Sequence, residues 1–205
     1  MGLNDLKEKK PEKYKGILEA AVRVFALKGF YTARVSDIAR EAGVADGTIY
    51  LYFQNKDDIL IRLFEEGMQT VIAKVKAEIE KTEDPLEKIR RFAHAHLSII
   101  ESNPKMAEVL QVELRQSTKF MKEYRNEKFY EYLDLISGII TEGQTRGVIR
   151  RDVEPGIIKR AFFGALDEMS RFWVLSSRRK YSIETAADQI ANFFIKGIAA
   201  GEKMR

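Results

Sequence analysis

The chain has no cysteine, little proline and no long apolar run. Its 205 residues include four Pro and one Trp. The absence of cysteine excludes disulfides, thiol catalysis and the common cysteine zinc sites. No stretch approaches the roughly 18 apolar residues of a membrane span, and the charged N-terminus lacks the apolar core of a signal peptide. We therefore expect a cytoplasmic protein.

Catalytic and metal-binding patterns are scarce as well. His94 and His96 are the two histidines of the chain, and we expect each to be a surface or packing residue. On a helix they point roughly 200° apart and cannot share one metal ion. The sequence has no phosphate loop, no G-x-S-x-G elbow and no H-E-x-x-H motif. We predict no enzyme activity, no metal site and no cofactor.

Positive charge is concentrated near the N-terminus. Hydrophobic residues make up 45% of the chain and charged residues 32%, a balance typical of globular proteins. The formal net charge is +4, and residues 1–56 hold ten Lys and Arg against seven Asp and Glu. Three of the four excess positive charges therefore lie in about the first quarter of the chain. A solvated basic tail and a DNA-facing end both fit this asymmetry.

Apolar residues recur with the period of an α-helix along the chain. Pro11 suits the first turn of a helix that runs to Lys28, where Gly29 provides the stop. Further helices are predicted over about 35–42, 46–52, 56–81, 85–102, 104–117, 119–146, 155–178 and 182–202. No convincing strand pattern is present, so the predicted fold class is all-α, with about nine helices.

A glycine turn separates the two short helices within residues 35–53, as in a helix-turn-helix. Gly43 allows a positive φ at little steric cost, and Val44 and Ile49 are spaced to pack inward. Polar and aromatic residues occupy the other faces of the third helix, where they can contact phosphates or base edges. A plain helical hairpin has the same spacing, so spacing alone leaves both interpretations open.

The sequence of this segment resembles the DNA-binding signature of the TetR family of transcriptional repressors. The matching residues are Gly43-Val-Ala-Asp-Gly-Thr-Ile-Tyr-Leu-Tyr-Phe-Gln-Asn-Lys56, preceded by Asp37-Ile-Ala39. Ile17–Ala26 and Gly29–Thr32 match the first helix and turn of the family. The resemblance implies a DNA-binding domain, a larger ligand-binding and dimerisation domain, and double-stranded operator DNA as a partner.

The resemblance also implies domain bounds and a set of DNA contacts. The DNA-binding domain is expected over 1–55 and the ligand-binding domain over 56–205. Carried over position by position, the DNA-binding residues are Arg34, Ser36, Asp46, Gly47, Thr48, Tyr50, Leu51, Tyr52 and Lys56. Ile49 and Phe53 match core positions instead.

Two helix starts depart from the family pattern. Ala45 stands where many members have a Ser or Thr that caps the third helix. Asp46 is therefore left to supply the favourable negative charge at that end, although its carboxylate can also accept a hydrogen bond from a cytosine amine. Arg34 occupies the start of the second helix, where a hydroxyl cap is usual.

Motifs beyond the helix-turn-helix narrow the resemblance to one branch of the family. Leu110–Ser117, Gly138–Gly143 and Phe163–Glu168, followed by Trp173, resemble the FadR-type members, the fatty-acid-degradation repressors of bacilli. The resemblance implies repression of fatty-acid β-oxidation genes and release from DNA by long-chain acyl-CoA. The aromatic residues of this region suit either an ordinary core or an apolar cavity between helices.

An acyl tail needs an apolar tunnel, and the CoA phosphates need Arg or Lys at its mouth. With Arg115 as first choice for the phosphates, the predicted ligand-binding residues are Arg115, Arg90, Lys119, Leu110, Phe120, Phe129, Leu133, Phe163, Leu166 and Trp173. The last two helices are predicted to form a homodimer that reads two half-sites.

Two alternatives remain open at the level of sequence. The first is a TetR-type repressor with another apolar inducer, such as a drug-like cation. The second is a helical lipid-binding or acyl-CoA-hydrolysing protein without DNA binding.

Overall fold

The computed structural model describes residues 3–114, 127–176, 178 and 180–201, with side chains from residue 11 onward. Its α-helices are α1 (Leu3–Lys28), α2 (Val35–Glu41), α3 (Asp46–Ile49), α4 (Lys56–Ile79), α5 (Pro85–Ser102), α6 (Pro104–Glu108), α7 (Glu127–Thr145), α8 (Pro155–Leu175) and α9 (Ile183–Ile198). A π-helical turn, Val109–Glu113, continues α6 directly. Within these ranges the only strand-like pairing is one isolated bridge, which confirms the all-α prediction.

Two helices differ from their predicted bounds. Pro11 lies inside α1 and does not begin it, so the helix continues on both sides of a residue that cannot donate a backbone hydrogen bond. α3 ends at Ile49, earlier than predicted. After it, the amides of Leu51 and Tyr52 donate to carbonyls three residues back at 3.2 and 3.0 Å, so the chain forms tight turns there.

The contacts divide the chain into two compact units. Unit 1 contains Met1–Gly67 and the segment that begins at Lys105. Unit 2 contains Met68–Pro104 and the described residues from Glu127 onward. The chain therefore passes from unit 1 to unit 2 within α4, and enters unit 1 again at the start of α6.

The core of unit 1 is built on one face of α1. Ile17, Ala21 and Phe25 recur at four-residue spacing and are completely buried. Gly29 ends α1 with a φ of +74°, as predicted, since glycine adopts this left-handed conformation without steric cost.

The core of unit 2 forms where α5 packs against α7, α8 and α9. Its largest buried side chains are aromatic and include Phe92, Tyr132 and Phe162. The loop after α7 is tied to the end of α9 by an antiparallel bridge between Ile149 and Ala199. No described helix is long and apolar enough to cross a membrane.

Candidate DNA-reading face and effector-binding core

The helix-turn-helix has the geometry that the glycine pattern predicts. Gly43 has a φ of +67°, and the amide of Val44 donates to the carbonyl of Ala39 at 3.0 Å. Ile49 and Phe53 are 1% and 2% exposed, so both are core residues as predicted. Val44 is only half-buried. These contacts hold α3 against α2 and leave its other faces available.

The side chains predicted to read DNA are mostly exposed. Tyr50 and Leu51 are 59% and 80% exposed. A side-chain carbon at Gly47 would meet no atom within 4 Å, so the backbone there is open to close approach. Tyr52 is half-buried, with its ring 6.3 Å from that of Tyr14. The first three positions thus offer an accessible surface, whereas Tyr52 also packs within unit 1.

Asp46 supplies the only charge at the start of α3. Ala45 has an extended backbone and makes no side-chain cap, which agrees with the departure noted in the sequence. Asp46 lies in the first turn and is exposed, where a carboxylate favours the positive helix end. The exposed carboxylate remains accessible to a base amine.

Asp37 replaces the missing hydroxyl cap of α2. Its carboxylate accepts the backbone N–H of Arg34 at 3.1 Å and pairs with Lys28 at 2.8 Å and Arg40 at 2.5 Å. The hydrogen bond from Lys28 is the main reason why the pKa of Asp37 is lowered. The side chains of Arg34 and Ser36 are left exposed. The sequence reasoning missed this role, although an acidic residue three positions after the cap is its usual signal.

The side chain of Lys56, which the sequence predicts to contact DNA, makes its contacts within unit 1. Its ammonium group donates to the carbonyls of Phe30, Tyr31 and Ala33 and lies 4.5 Å from the ring centre of Phe30. An ammonium has three donors, and all three are used within unit 1. Burial lowers the pKa of Lys56. The geometry therefore makes Lys56 a clamp on the turn between α1 and α2.

Side chains cap the start of α4. Asn55 caps α4 by accepting the N–H of Asp58 at 2.9 Å, and Asp58 accepts the N–H of Gln54 at 3.0 Å. The first amides of a helix point outward along its axis and favour anions.

Four of the predicted ligand-binding residues lie in the aromatic core of unit 2. The rings of Phe129 and Phe163 are 4.9 Å apart in an edge-to-face arrangement. Leu133 and Leu166 are 1% and 0% exposed. Trp173, a fifth, is 3% exposed and its ring lies 6.1 Å from that of Tyr181. This core has the apolar character that an acyl chain requires.

This core contains a chain of hydrogen bonds, which the sequence reasoning did not find. Ser170 donates its hydroxyl proton to the carbonyl of Leu166 at 2.8 Å, so it must accept from Nε2 of His96 at 3.1 Å. Nδ1 of His96 is then an acceptor for the hydroxyl of Tyr132. Burial lowers the pKa of His96 to about 4, in agreement with a neutral ring. His96 is thus a packing residue with a defined tautomer.

Arg90 lies elsewhere in unit 2, at a cleft of about 450 Å³ between α4, α5 and α9. It donates to Asn192 at 2.9 Å and pairs with Glu87 at 3.3 Å and Asp188 at 3.7 Å. These partners already balance its charge, so a phosphate would have to displace them.

Among the described residues, one further predicted ligand-binding residue lies outside the aromatic core. Leu110 lies in unit 1, where its Cδ1 atom is 3.2 Å from the position that a side-chain carbon on Gly67 would take. Arg115, Lys119 and Phe120 lie outside the described residues. Among the described residues, no group of three or more side chains suited to a metal ion occurs.

Exposed apolar side chains mark the last two helices. Ile157 and Leu175 of α8 are 66% and 61% exposed, and Phe193 of α9 is 76% exposed. Exposed apolar side chains that form a contiguous patch mark protein–protein interfaces, whereas scattered ones are common on protein surfaces. Their position agrees with the predicted dimerisation elements.

Comparisons with known proteins cover most of the chain. Residues 17–63 match the family described as bacterial regulatory proteins, tetR family, and residues 64–197 match the C-terminal region of YsiA-like proteins. The fatty acid metabolism regulator protein of Bacillus subtilis (strain 168) is 38% identical over 94% of this chain and 98% of that protein.

Solved structures give the same result. The FadR transcriptional regulator of Bacillus subtilis, in complex with stearoyl-CoA, is 37% identical, with a TM-score of 0.83 over 90% of this chain and 99% of that one. The fatty acid degradation regulator FadR of Bacillus halodurans is 35% identical, with a TM-score of 0.83 over 94% and 97%. The chain is therefore a DNA-binding regulator and not an enzyme, and it belongs to the TetR family of transcriptional regulators.

Proposed function

We propose that the protein represses fatty-acid degradation genes. A homodimer binds double-stranded operator DNA and releases it when long-chain acyl-CoA binds. The observation that carries this proposal is the match over nearly the whole chain to a fatty acid metabolism regulator and to a FadR structure with stearoyl-CoA. It acts where the DNA is, in the cytoplasm.

The proposed DNA contacts follow from exposure in the helix-turn-helix. Tyr50, Leu51 and Gly47 reach the major groove, since they are among the open positions of α3 and the turn after it. The other proposed contacts are Arg34, Ser36, Asp46, Thr48 and Tyr52. Lys56 contributes through its backbone at the start of α4. Residues 1–55 form the DNA-binding domain and 56–205 the effector-binding and dimerisation domain.

The proposed effector site uses the aromatic core of unit 2 for the acyl chain. Phe129, Leu133, Phe163 and Leu166 supply apolar and aromatic surface there, and Arg115 and Lys119 remain the proposed partners of the CoA phosphates. A cationic inducer needs an acidic side chain in its site. Glu113, one candidate, lies in unit 1 and is already engaged by the amide of Phe30 at 2.5 Å. Glu108 and Asp167 are the other two candidates and keep this alternative open.

Release of DNA requires that the effector bind the non-DNA-binding conformation more tightly than the DNA-binding one. α4 passes from unit 1 into unit 2 without a break. A change in unit 2 is therefore transmitted along this helix to the unit that reads DNA.

A competition experiment tests the effector. Duplex DNA is first selected from a random library with the purified full-length protein, and the complex is then titrated with stearoyl-CoA, free stearate and CoA. We expect only stearoyl-CoA to release the DNA. An operator complex that persists at saturating stearoyl-CoA would refute the proposed effector.

A further inference from the structure

One carboxylate of unit 1 is unusual in being buried. Glu113 is 7% exposed and is the only charged side chain among the described residues that is classed as buried. It accepts the backbone N–H of Phe30, 83 residues away in sequence, at 2.5 Å. A buried carboxylate is costly unless it is hydrogen-bonded, and a bond from a backbone amide to a carboxylate is among the stronger ones. Glu113 is therefore fixed on the turn that follows α1.

The same turn is held from its other side by Lys56. The N–H of Phe30 donates to the carboxylate of Glu113, and its carbonyl accepts from the ammonium of Lys56. Gly29 has a φ of +74°, and a side-chain carbon there would lie 3.6 Å from Oε2 of Glu113. The backbone of Phe30 thus bridges an anion and a cation, and it connects Glu113 to the first residue of α4.

Glu113 ends the π-helical turn Val109–Glu113. Such turns contain one residue more than an α-helical turn and are common at functional sites. Val109 is completely buried, and Leu110 packs on Gly67 of α4. Conversion of the turn to α-helix would rotate the residues after it by about 100°, the angle per residue of a helix. A change of register here would necessarily move the Glu113 carboxylate.

The π-helical turn is linked to unit 2 directly through the backbone. The segment from Lys105 belongs to unit 1, and the chain reaches it directly from Pro104 of unit 2. By Glu127 the chain has returned to unit 2. A displacement at the end of α5 can therefore reach the π-helical turn over a few residues. This route is separate from the one along α4.

We propose that Glu113 is the positioning residue through which effector binding in unit 2 resets the helix-turn-helix. A change of register in the π-helical turn alters the bond from Phe30 to Glu113, and the Lys56-bound turn passes this change to α2 and to the start of α4. The inference rests on the proposed acyl-CoA response and assigns its link to the DNA-reading face.

The test compares Glu113→Ala and Glu113→Gln with the matched control Glu108→Ala, which lies in α6 just before the π-helical turn. Operator Kd is measured with and without saturating stearoyl-CoA, and stearoyl-CoA Kd is measured on the free protein. The ratio of the two operator Kd values is the coupling factor, which is on the order of 5- to 150-fold in allosteric proteins.

We expect Glu113→Ala to reduce the coupling factor to less than about 2-fold while stearoyl-CoA Kd changes by less than about 2-fold. Glu113→Gln keeps an oxygen acceptor for the Phe30 amide and should retain most of the coupling, as should the control. A merely structural role would lower thermal stability and leave the coupling factor unchanged. Wild-type coupling in Glu113→Ala, or an equal loss in Glu108→Ala, would overturn the inference.

Hydrogen exchange on the wild-type protein provides a readout that does not depend on a variant's folding. We expect stearoyl-CoA to change the exchange rate of the Phe30 amide by about tenfold or more, because its acceptor changes. If stearoyl-CoA releases the DNA but leaves the exchange rate of the Phe30 amide unchanged, the inference is overturned and the proposed function is not. A wild-type protein that ignores stearoyl-CoA would overturn the proposed function, and the inference with it.

Discussion

Replacing Lys56 separates the clamp seen in the structure from a phosphate contact. Lys56→Met keeps an unbranched side chain over the ring of Phe30 and removes the ammonium. Three carbonyls then lose their donor, two of them at 2.9 and 3.1 Å in the structure. Lys56→Arg keeps the charge, but its planar guanidinium does not fit a position built for three converging bonds.

The magnitude follows from the bonds that are lost. Hydrogen bonds to charged groups contribute about 1.5–3 kcal/mol each, but contributions within one network are not additive. Tyr31 is 67% exposed, so water can replace part of the loss at that end of the turn. We expect Lys56→Met to lower the free energy of unfolding by about 3 kcal/mol, which for a chain of this size lowers Tm by roughly 6–12 °C.

The assay combines thermal unfolding with the salt dependence of operator binding. Each phosphate contact contributes about −0.9 to the slope of log K against log salt. We expect both Lys56 variants to lower Tm and to leave this slope unchanged under conditions where the protein is folded. Lys15→Met, an exposed change on α1, is the control for Tm. The clamp would be refuted if Lys56→Met had a normal Tm and a salt slope smaller in magnitude by about 0.9 per contact, and if Lys56→Arg restored the wild-type slope.

Three further predictions concern unit 2. Gly143→Ala would place a carbon 2.4 Å from Cδ1 of Ile149, so it should destabilise the protein by about 1–3 kcal/mol in urea unfolding. Its control, Gly138→Ala on the same helix, meets no atom within 4 Å and should stabilise the protein by up to about 1 kcal/mol. Equal effects of the two variants would contradict the packing around Gly143. Burial lowers the pKa of His96 from 6.5 to about 4, so the unfolded chain binds more protons than the folded one between these pH values. The free energy of unfolding should therefore fall by up to about 3 kcal/mol as the pH drops through that window. His96→Gln should remove this part of the pH dependence, and an unaltered profile in that variant would refute the neutral ring. Phe193→Glu should convert the dimer to monomer in sedimentation experiments, since it places a charge on an exposed apolar surface; a dimer that persists would place the interface elsewhere.

Sequence reasoning predicted the helix-turn-helix well because its pattern depends on local rules. Gly43 needed a positive φ, and Ile49 had the spacing of a core residue; both are as predicted. Exposure of Tyr50 followed from the same spacing, whereas Leu51, which is also exposed, was predicted only from the family resemblance. Such features depend on neighbours within a few residues, which the sequence displays directly.

The roles of charged side chains could not be predicted in the same way. Lys56 binds carbonyls 23 to 26 residues away, and Glu113 binds an amide 83 residues away. Contacts between residues so far apart in sequence leave no periodic pattern. The role of Lys56 was therefore predicted only from its position after the DNA-reading helix. The hydrogen-bonded chain of Tyr132, His96 and Ser170 was missed because its three members come from three different helices.

The π-helical turn was likewise beyond the sequence rules. The apolar spacing of 104–117 fitted an ordinary helix, and the extra residue is stabilised by packing of Val109 and Leu110 in unit 1. Tertiary contacts decided the local conformation there, as they commonly do for short helical segments.

Release of operator DNA by acyl-CoA tests the central claim most directly. Fluorescence anisotropy of a labelled, selected operator is followed while stearoyl-CoA is added to the complex, and direct binding of stearoyl-CoA is measured in parallel. The account predicts that anisotropy falls to that of free DNA as the effector saturates, and that CoA alone leaves it unchanged. A complex that holds its operator with stearoyl-CoA bound would contradict the account.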